Sequence, residues 1–129
     1  MDNKSAIIDT NILIMICRSK SDTDLFLESK GIVYSYITPL SYFEFLGGAK
    51  ANQKRWAEKF LRKFSIMPFS KESNIISKTL CTQNEIGKGK LIDMLIASIC
   101  IANKIPIITA NIVDFNFKGL EVIKYLIEV

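Results

Sequence analysis

Two hydrophobic rhythms alternate along the chain: short runs dense in β-branched and aromatic residues, and longer stretches with apolar positions at helical spacing. Ser5–Asp9 is a compact apolar run that closes on the polar turn Asp9-Thr10-Asn11, and Ile12–Cys17 continues as an apolar helix. Gly31–Ile37 carries the residues of a second strand. Thr38-Pro39 then opens a helix, with threonine as cap and proline at the first helical position, where its missing N–H costs nothing. Gly47-Gly48 stops that helix. Gln53–Phe64 reads as a third helix, with Trp56, Ala57, Phe60, Leu61 and Phe64 on one side and Arg55, Lys59, Arg62 and Lys63 on the other. Ser65–Phe69 is a strand closed by proline and polar residues, and Lys71–Glu85 is helical. A loop at Gly87 and Gly89 leads into a strongly apolar helix, Lys90–Asn103. Pro106–Ala110 is a buried strand, and Leu120–Lys124 is the last one.

Strands that alternate with helices predict an α/β fold, a parallel sheet with helices on both faces. The chain shows no internal repeat and no low-complexity linker, and its 129 residues suffice for one domain, 1–129, with a real core.

Composition narrows the function. Hydrophobic residues make up 49% of the chain, which excludes disorder, and the net charge of +4 permits a polyanionic partner without requiring one. No apolar run approaches the ~20 residues that span a bilayer. Asp9 and Asn11 interrupt the N-terminal apolar stretch, so no signal peptide is read there and a cytoplasmic location is the expectation. Cys17, Cys81 and Cys100 form no C-x-x-C pair, which argues against a disulfide framework or a zinc knuckle and leaves them as small buried thiols. The chain contains no histidine. That excludes Ser–His and Cys–His nucleophiles, RNA cleavage by paired imidazoles, and histidine-ligated zinc or iron. A hydrolase of this composition must activate water with a carboxylate or with a metal held on oxygen ligands.

Four carboxylates stand where charge is expensive: Asp9 in AIIDTNILI, Glu44 in SYFEFLGG, Asp93 in KLIDMLIASI and Asp114 in ITANIVDF. In a right-handed α/β sheet all four reach one edge. Asp9 ends the first strand, and Asp114 follows the strand Pro106–Ala110. Asp93 lies in the first turn of a helix that starts at that edge. Glu44 is about a turn and a half down its helix, with a side chain that leans back toward the N-terminus. That rim is where open α/β sheets bind ligands, and oxygen-only donors suit Mg²⁺ or Mn²⁺. Each acid also has a plainer reading. Asp9 caps the following helix, Asp93 complements a helix N-terminus, Glu44 makes a surface salt bridge, and Asp114 belongs to a turn. Four independent plain readings do not explain a shared rim.

The basic side Arg55, Lys59, Arg62 and Lys63, with Lys50 and Lys54, reads as a solvated helix face that could also steer a phosphate backbone. Lys88 and Lys90, nearer the acidic rim, are the stronger candidates for phosphate contacts. G-K-G-K at Gly87–Lys90 lacks the spacing of a P-loop. The aromatics Tyr34, Tyr36, Tyr42, Phe43, Phe45, Trp56 and Phe60 read mainly as core, with base stacking or a groove for a partner helix as alternatives. A phosphoacceptor switch domain would need an acidic pair at the end of the first strand, and Asp9 has no such neighbour.

In order along the chain, I-I-D-T-N (Ile7–Asn11), T-P-L-S-Y-F-E-F (Thr38–Phe45), L-I-D-M-L-I-A (Leu91–Ala97) and T-A-N-I-V-D-F (Thr109–Phe115), followed by Gly119-Leu120, resemble the motifs of the PIN-domain family and, within it, VapC-type toxins. The resemblance spans nearly the whole chain. It implies a three-layer α/β/α sandwich on a five-stranded parallel sheet and Mg²⁺- or Mn²⁺-dependent endoribonuclease activity on RNA. It also implies a homodimer inhibited by a small antitoxin. Carried over, Asp9, Glu44, Asp93 and Asp114 form the catalytic, metal-holding quartet, with Asp9 and Asp93 as direct ligands. Thr10, Asn11, Ser41, Thr109 and Asn111 would support the quartet by hydrogen bonding, and Asn111 could replace Asp114 as the last oxygen donor. A PIN-like module that binds RNA or protein without cutting is the alternative.

Overall fold

β1 (Ser5–Ile8) is buried along its whole length, as a strand covered on both faces must be. It is the middle strand of a five-stranded parallel sheet ordered β3-β2-β1-β4-β5. β2 (Tyr34–Ile37) and β4 (Ile107–Thr109) flank it, and β3 (Ser65–Ile66) and β5 (Val122–Lys124) form the edges. The computed structural model describes residues 4–126. Ile7 pairs with both Tyr36 of β2 and Ile107 of β4, which fixes the register across the centre of the sheet.

Alternation along the strands divides the core in two. Ala6 and Ile8 face a cluster with Ile12 and Leu13 of α1 (Thr10–Arg18) and Phe60 and Leu61 of α4 (Lys54–Leu61). Phe26 and Leu27 of α2 (Lys20–Ser29) pack against that cluster, as do Tyr42, Phe45 and Leu46 of α3 (Pro39–Gly48). Ile7 and Ile107 face the opposite cluster, built on Leu80 of α5 (Lys71–Gln83) and Met94, Ile96 and Ile99 of α6 (Leu91–Asn103). The architecture is thus the three-layer α/β/α sandwich that the sequence pattern and the resemblance imply.

Four differences from the sequence reading have local causes. α2 is an element that hydrophobic periodicity does not disclose. Its segment is largely polar, and its buried residue is Thr23, whose hydroxyl lies 3.0 Å from that of Tyr125. A polar residue buried against a partner so distant in sequence leaves no periodic trace. β2 starts at Tyr34 rather than Gly31, because Gly31, at φ 72°, turns the chain out of α2 first. β3 shrinks to two residues before Pro68, as an edge strand followed by proline should. Of the cysteines only Cys100 is buried, while Cys17 and Cys81 are exposed.

Chain connections run in opposite directions on the two sides of β1: β1, β2 and β3 progress one way, and β4 and β5 lie the other way. The C-terminal ends of β1 and β4 therefore border the crevice where open sheets of this kind hold ligands. Among the described residues, no helix is long and apolar enough to cross a membrane.

Candidate active site

Asp9 follows β1 directly and sits in extended backbone, at φ −68° and ψ 156°. One carboxylate oxygen, Oδ1, accepts the Thr10 amide N–H at 2.7 Å and so caps α1. The other, Oδ2, accepts the Thr109 hydroxyl at 2.8 Å. Thr109 ends β4, so this hydrogen bond crosses the switch point of the sheet. Capping therefore engages only one of the two oxygens, so a cap role and a site role are compatible in this residue. Asp9 is only 6% exposed. Burial raises its carboxyl above the ordinary value, the Thr109 and Thr10 hydrogen bonds oppose that, and the charges of Glu44 and Asp114 add to the rise.

Asp93 is half-buried in the first turn of α6. Its carboxyl is pushed up to about 6, first by burial and then by the charges of Asp9, Asp114 and Glu44, while Lys90 pulls it down. Four elements thus bring all four acids into one electrostatic neighbourhood. Glu44, exposed on α3, accepts a short hydrogen bond at Oε1 from the Thr10 hydroxyl. Asp114 lies in a 3₁₀ turn, Ile112–Phe115, and its Oδ2 accepts the Asn111 side-chain amide. Asn111 is in turn held by its own N–H on the Thr109 hydroxyl at 3.0 Å. Asn111 therefore orients Asp114 through its amide nitrogen.

The other sequence candidates divide. Thr10, Thr109 and Asn111 hydrogen-bond to Glu44, Asp9 and Asp114, respectively. Ser41 does not: it is buried in the cap of α3, where its N–H reaches the Thr38 hydroxyl at 3.1 Å. Asn11 is exposed at the start of α1, and its side chain makes no hydrogen bond among the described residues. Lys90 reaches the site electrostatically, and Lys88 is exposed on the same short 3₁₀ turn, Lys88–Lys90. Several lysines and arginines of the basic face are committed elsewhere. Lys54 Nζ donates to the carbonyls of Leu46 and Gly47 at the end of α3, Arg62 pairs with Glu58, and Lys63 lies over the Phe60 ring.

All donors at the rim are oxygens, and Asp9 and Asp93 are raised by burial first and by like-charge crowding after it. A hard dication is the ligand that relieves that crowding. Among the described residues, no three carboxylates are gathered tightly enough to hold one ion as they stand. Glu44 and Asp114 are turned onto Thr10 and Asn111, as mutually repelling anions with nearby donors should be.

The sequence model of the PIN domain matches residues 6–116. No curated protein matches. Among solved structures, a toxin–antitoxin complex from Klebsiella pneumoniae is 26% identical, with a TM-score of 0.72 over 92% of this chain and 96% of the other. VapBC2 from Rickettsia felis, bound to a DNA fragment from its promoter, is 24% identical, with a TM-score of 0.76 over 94% and 98%. VapBC-1 from nontypeable Haemophilus influenzae is 19% identical, with a TM-score of 0.71 over 93% and 97%.

Proposed function

The chain belongs to the PIN-domain family, and from that premise we propose that it is a metal-dependent endoribonuclease, the toxin of a pair whose second member is a small antitoxin protein. The observation that carries the reading is Asp93. Its carboxyl is raised first by burial and then by three other acids, which arrive from the end of β1, from α3 and from the loop after β4, and that convergence supports a metal-holding rim. The toxin part of the reading is supported by the toxin–antitoxin complexes among the similar structures.

Asp9 and Asp93 would hold Mg²⁺ or Mn²⁺ directly, with Glu44 and Asp114 completing the negative field. Bound there, a dication supplies Lewis acidity and lowers the pKa of an attacking water. The chain's own residues prepare the rest. Thr109 and the Thr10 N–H fix the Asp9 carboxylate in one orientation. The Thr10 hydroxyl tethers the long Glu44 side chain, and Asn111 does the same for Asp114. Lys90, close enough to Asp93 to lower its pKa, would meet a non-bridging phosphate oxygen and help bind the substrate backbone. The substrate would be RNA with unpaired segments, whose backbone can enter a rim this open.

Asp9→Asn and Asp93→Asn are each expected to reduce cleavage of a generic RNA in Mg²⁺ or Mn²⁺ by more than the ~10–100-fold that outer positioning groups contribute. Induced expression of the wild type should arrest growth and fragment cellular RNA, and the Asp93→Asn protein should do neither. Wild-type cleavage rates in the Asp9→Asn protein would sink the proposal.

A further inference from the structure

Beside the acidic rim lies a groove of about 430 Å³ between α1, α3 and α4, lined by Ile14, Phe45, Gln53 and Trp56 and also by Thr10 and Glu44 of the site. Its volume falls in the ~300–1,000 Å³ range of small-ligand clefts, and its lining has their composition, mostly apolar with a few polar groups. Trp56 is 56% exposed, which is unusual for so large an apolar ring unless something uses it. The indole is stacked on Phe60, with centroids 5.5 Å apart and planes within 8°, so a ring placed on its other face would extend an existing stack. Arg55 and Lys59 flank Trp56 on α4, are exposed, and hold no ion pair among the described residues. Glu44 at the groove disfavours an anion inside it. The fitting ligand is therefore a flat, uncharged ring attached to phosphates that remain outside, near the two cations.

We propose that this groove receives one unpaired nucleobase of the substrate RNA, next to the phosphate at the acidic rim, stacked on Trp56 and read along its edge by Gln53. The Gln53 amide offers a donor and an acceptor to that edge. A base within a duplex has both faces occupied, so the groove selects single-stranded segments. The inference rests on the nuclease reading, yet the binding it describes requires no cleavage.

Trp56 is the only tryptophan of the chain, so its fluorescence reports on this groove alone. In buffer with EDTA, a short mixed-sequence single-stranded RNA should quench that fluorescence saturably, and the same strand annealed to its complement should not. By fluorescence polarisation of labelled RNA, Trp56→Ala should weaken binding about 10- to 100-fold, the effect of losing one stacked base, and Trp56→Phe should restore most of it. Gln53→Ala should change the ranking of oligo(U), oligo(C) and oligo(A) rather than lower all three equally. RNA binding that leaves the indole silent, or that is unaffected by Trp56→Ala, would overturn the inference, as would equal quenching by duplex. An apolar helical peptide that quenches Trp56 where RNA does not would assign the groove to a protein partner instead. Metal-dependent cleavage with a silent indole removes this inference alone, whereas neither binding nor cleavage of any RNA removes the nuclease reading with it.

Discussion

Asp93 carries a conflict between function and stability. Burial, followed by the neighbouring acids, pushes its carboxyl up to about 6 from the ordinary 3.8. Between those values the folded state binds more protons than the unfolded one, so this residue's contribution to stability declines as pH rises through the window. Burial is the larger cause, and the charges of Asp9, Asp114 and Glu44 follow. In chelator, Asp93→Asn is expected to melt at a higher temperature than wild type at pH 7, with the difference shrinking toward pH 5. Thermal melts of both proteins at the two pH values decide the matter. A difference that stays constant or grows as pH falls would show that Asp93 is not held in a hostile field. Thr109 makes the same point from the other side, because its hydroxyl partly offsets the burial of Asp9. The four acids are recognisable in the sequence because each interrupts an apolar run. Ser41 is misread there because a cap serine and a site serine look alike until the partner, Thr38, is seen.

At the scale of elements, helix ends explain most of what the pattern discloses. Thr38 caps α3 with proline in its first turn, and Ser70 and Ser73 form a reciprocal capping box at the start of α5. The end of α6 is less well provided. Lys104 terminates it in the left-handed region, at φ 55° and ψ 42°, a conformation that disfavours side chains with a Cβ. Lys104→Gly is therefore expected to raise the free energy of unfolding by about 1 kcal/mol. Urea denaturation would show this as a higher midpoint at unchanged slope. A lower midpoint would mean that the side chain of Lys104 contributes more than its backbone strain costs. α2 marks the limit of pattern reading: its place is set by Phe26 and Leu27 on the core and by the Thr23–Tyr125 hydroxyl pair, all of them contacts with residues remote in sequence.

The whole molecule couples the rim to the fold. The four acids arrive from β1, α3, α6 and the turn after β4, so an ion that draws them together also joins both helical layers across the sheet. Anything bound only by the folded chain stabilises it, by ~2.7 kcal/mol at a hundredfold excess over Kd. Mg²⁺ or Mn²⁺ at neutral pH is accordingly expected to raise the melting temperature of the wild type and to leave Asp9→Asn unmoved, while EDTA reverses the wild-type shift. Differential scanning fluorimetry with and without each ion tests it. An equal shift in both proteins would place the ion elsewhere on the surface.

The sequence by itself determined the fold class and the sheet edge at which the four acids meet. Strand runs, caps and glycine stops are local signals, and parallel connectivity sends every strand end to one side. Tertiary structure alone decided which groups hold those acids, since the Asp9–Thr109 and Glu44–Thr10 hydrogen bonds join residues far apart in the chain. It also decided that Trp56, on what reads as the apolar side of its helix, lines an open groove while Ala57 and Phe60 are buried. Periodicity fixes which side of a helix is apolar, but only the packing of neighbouring helices fixes how much of that side is covered.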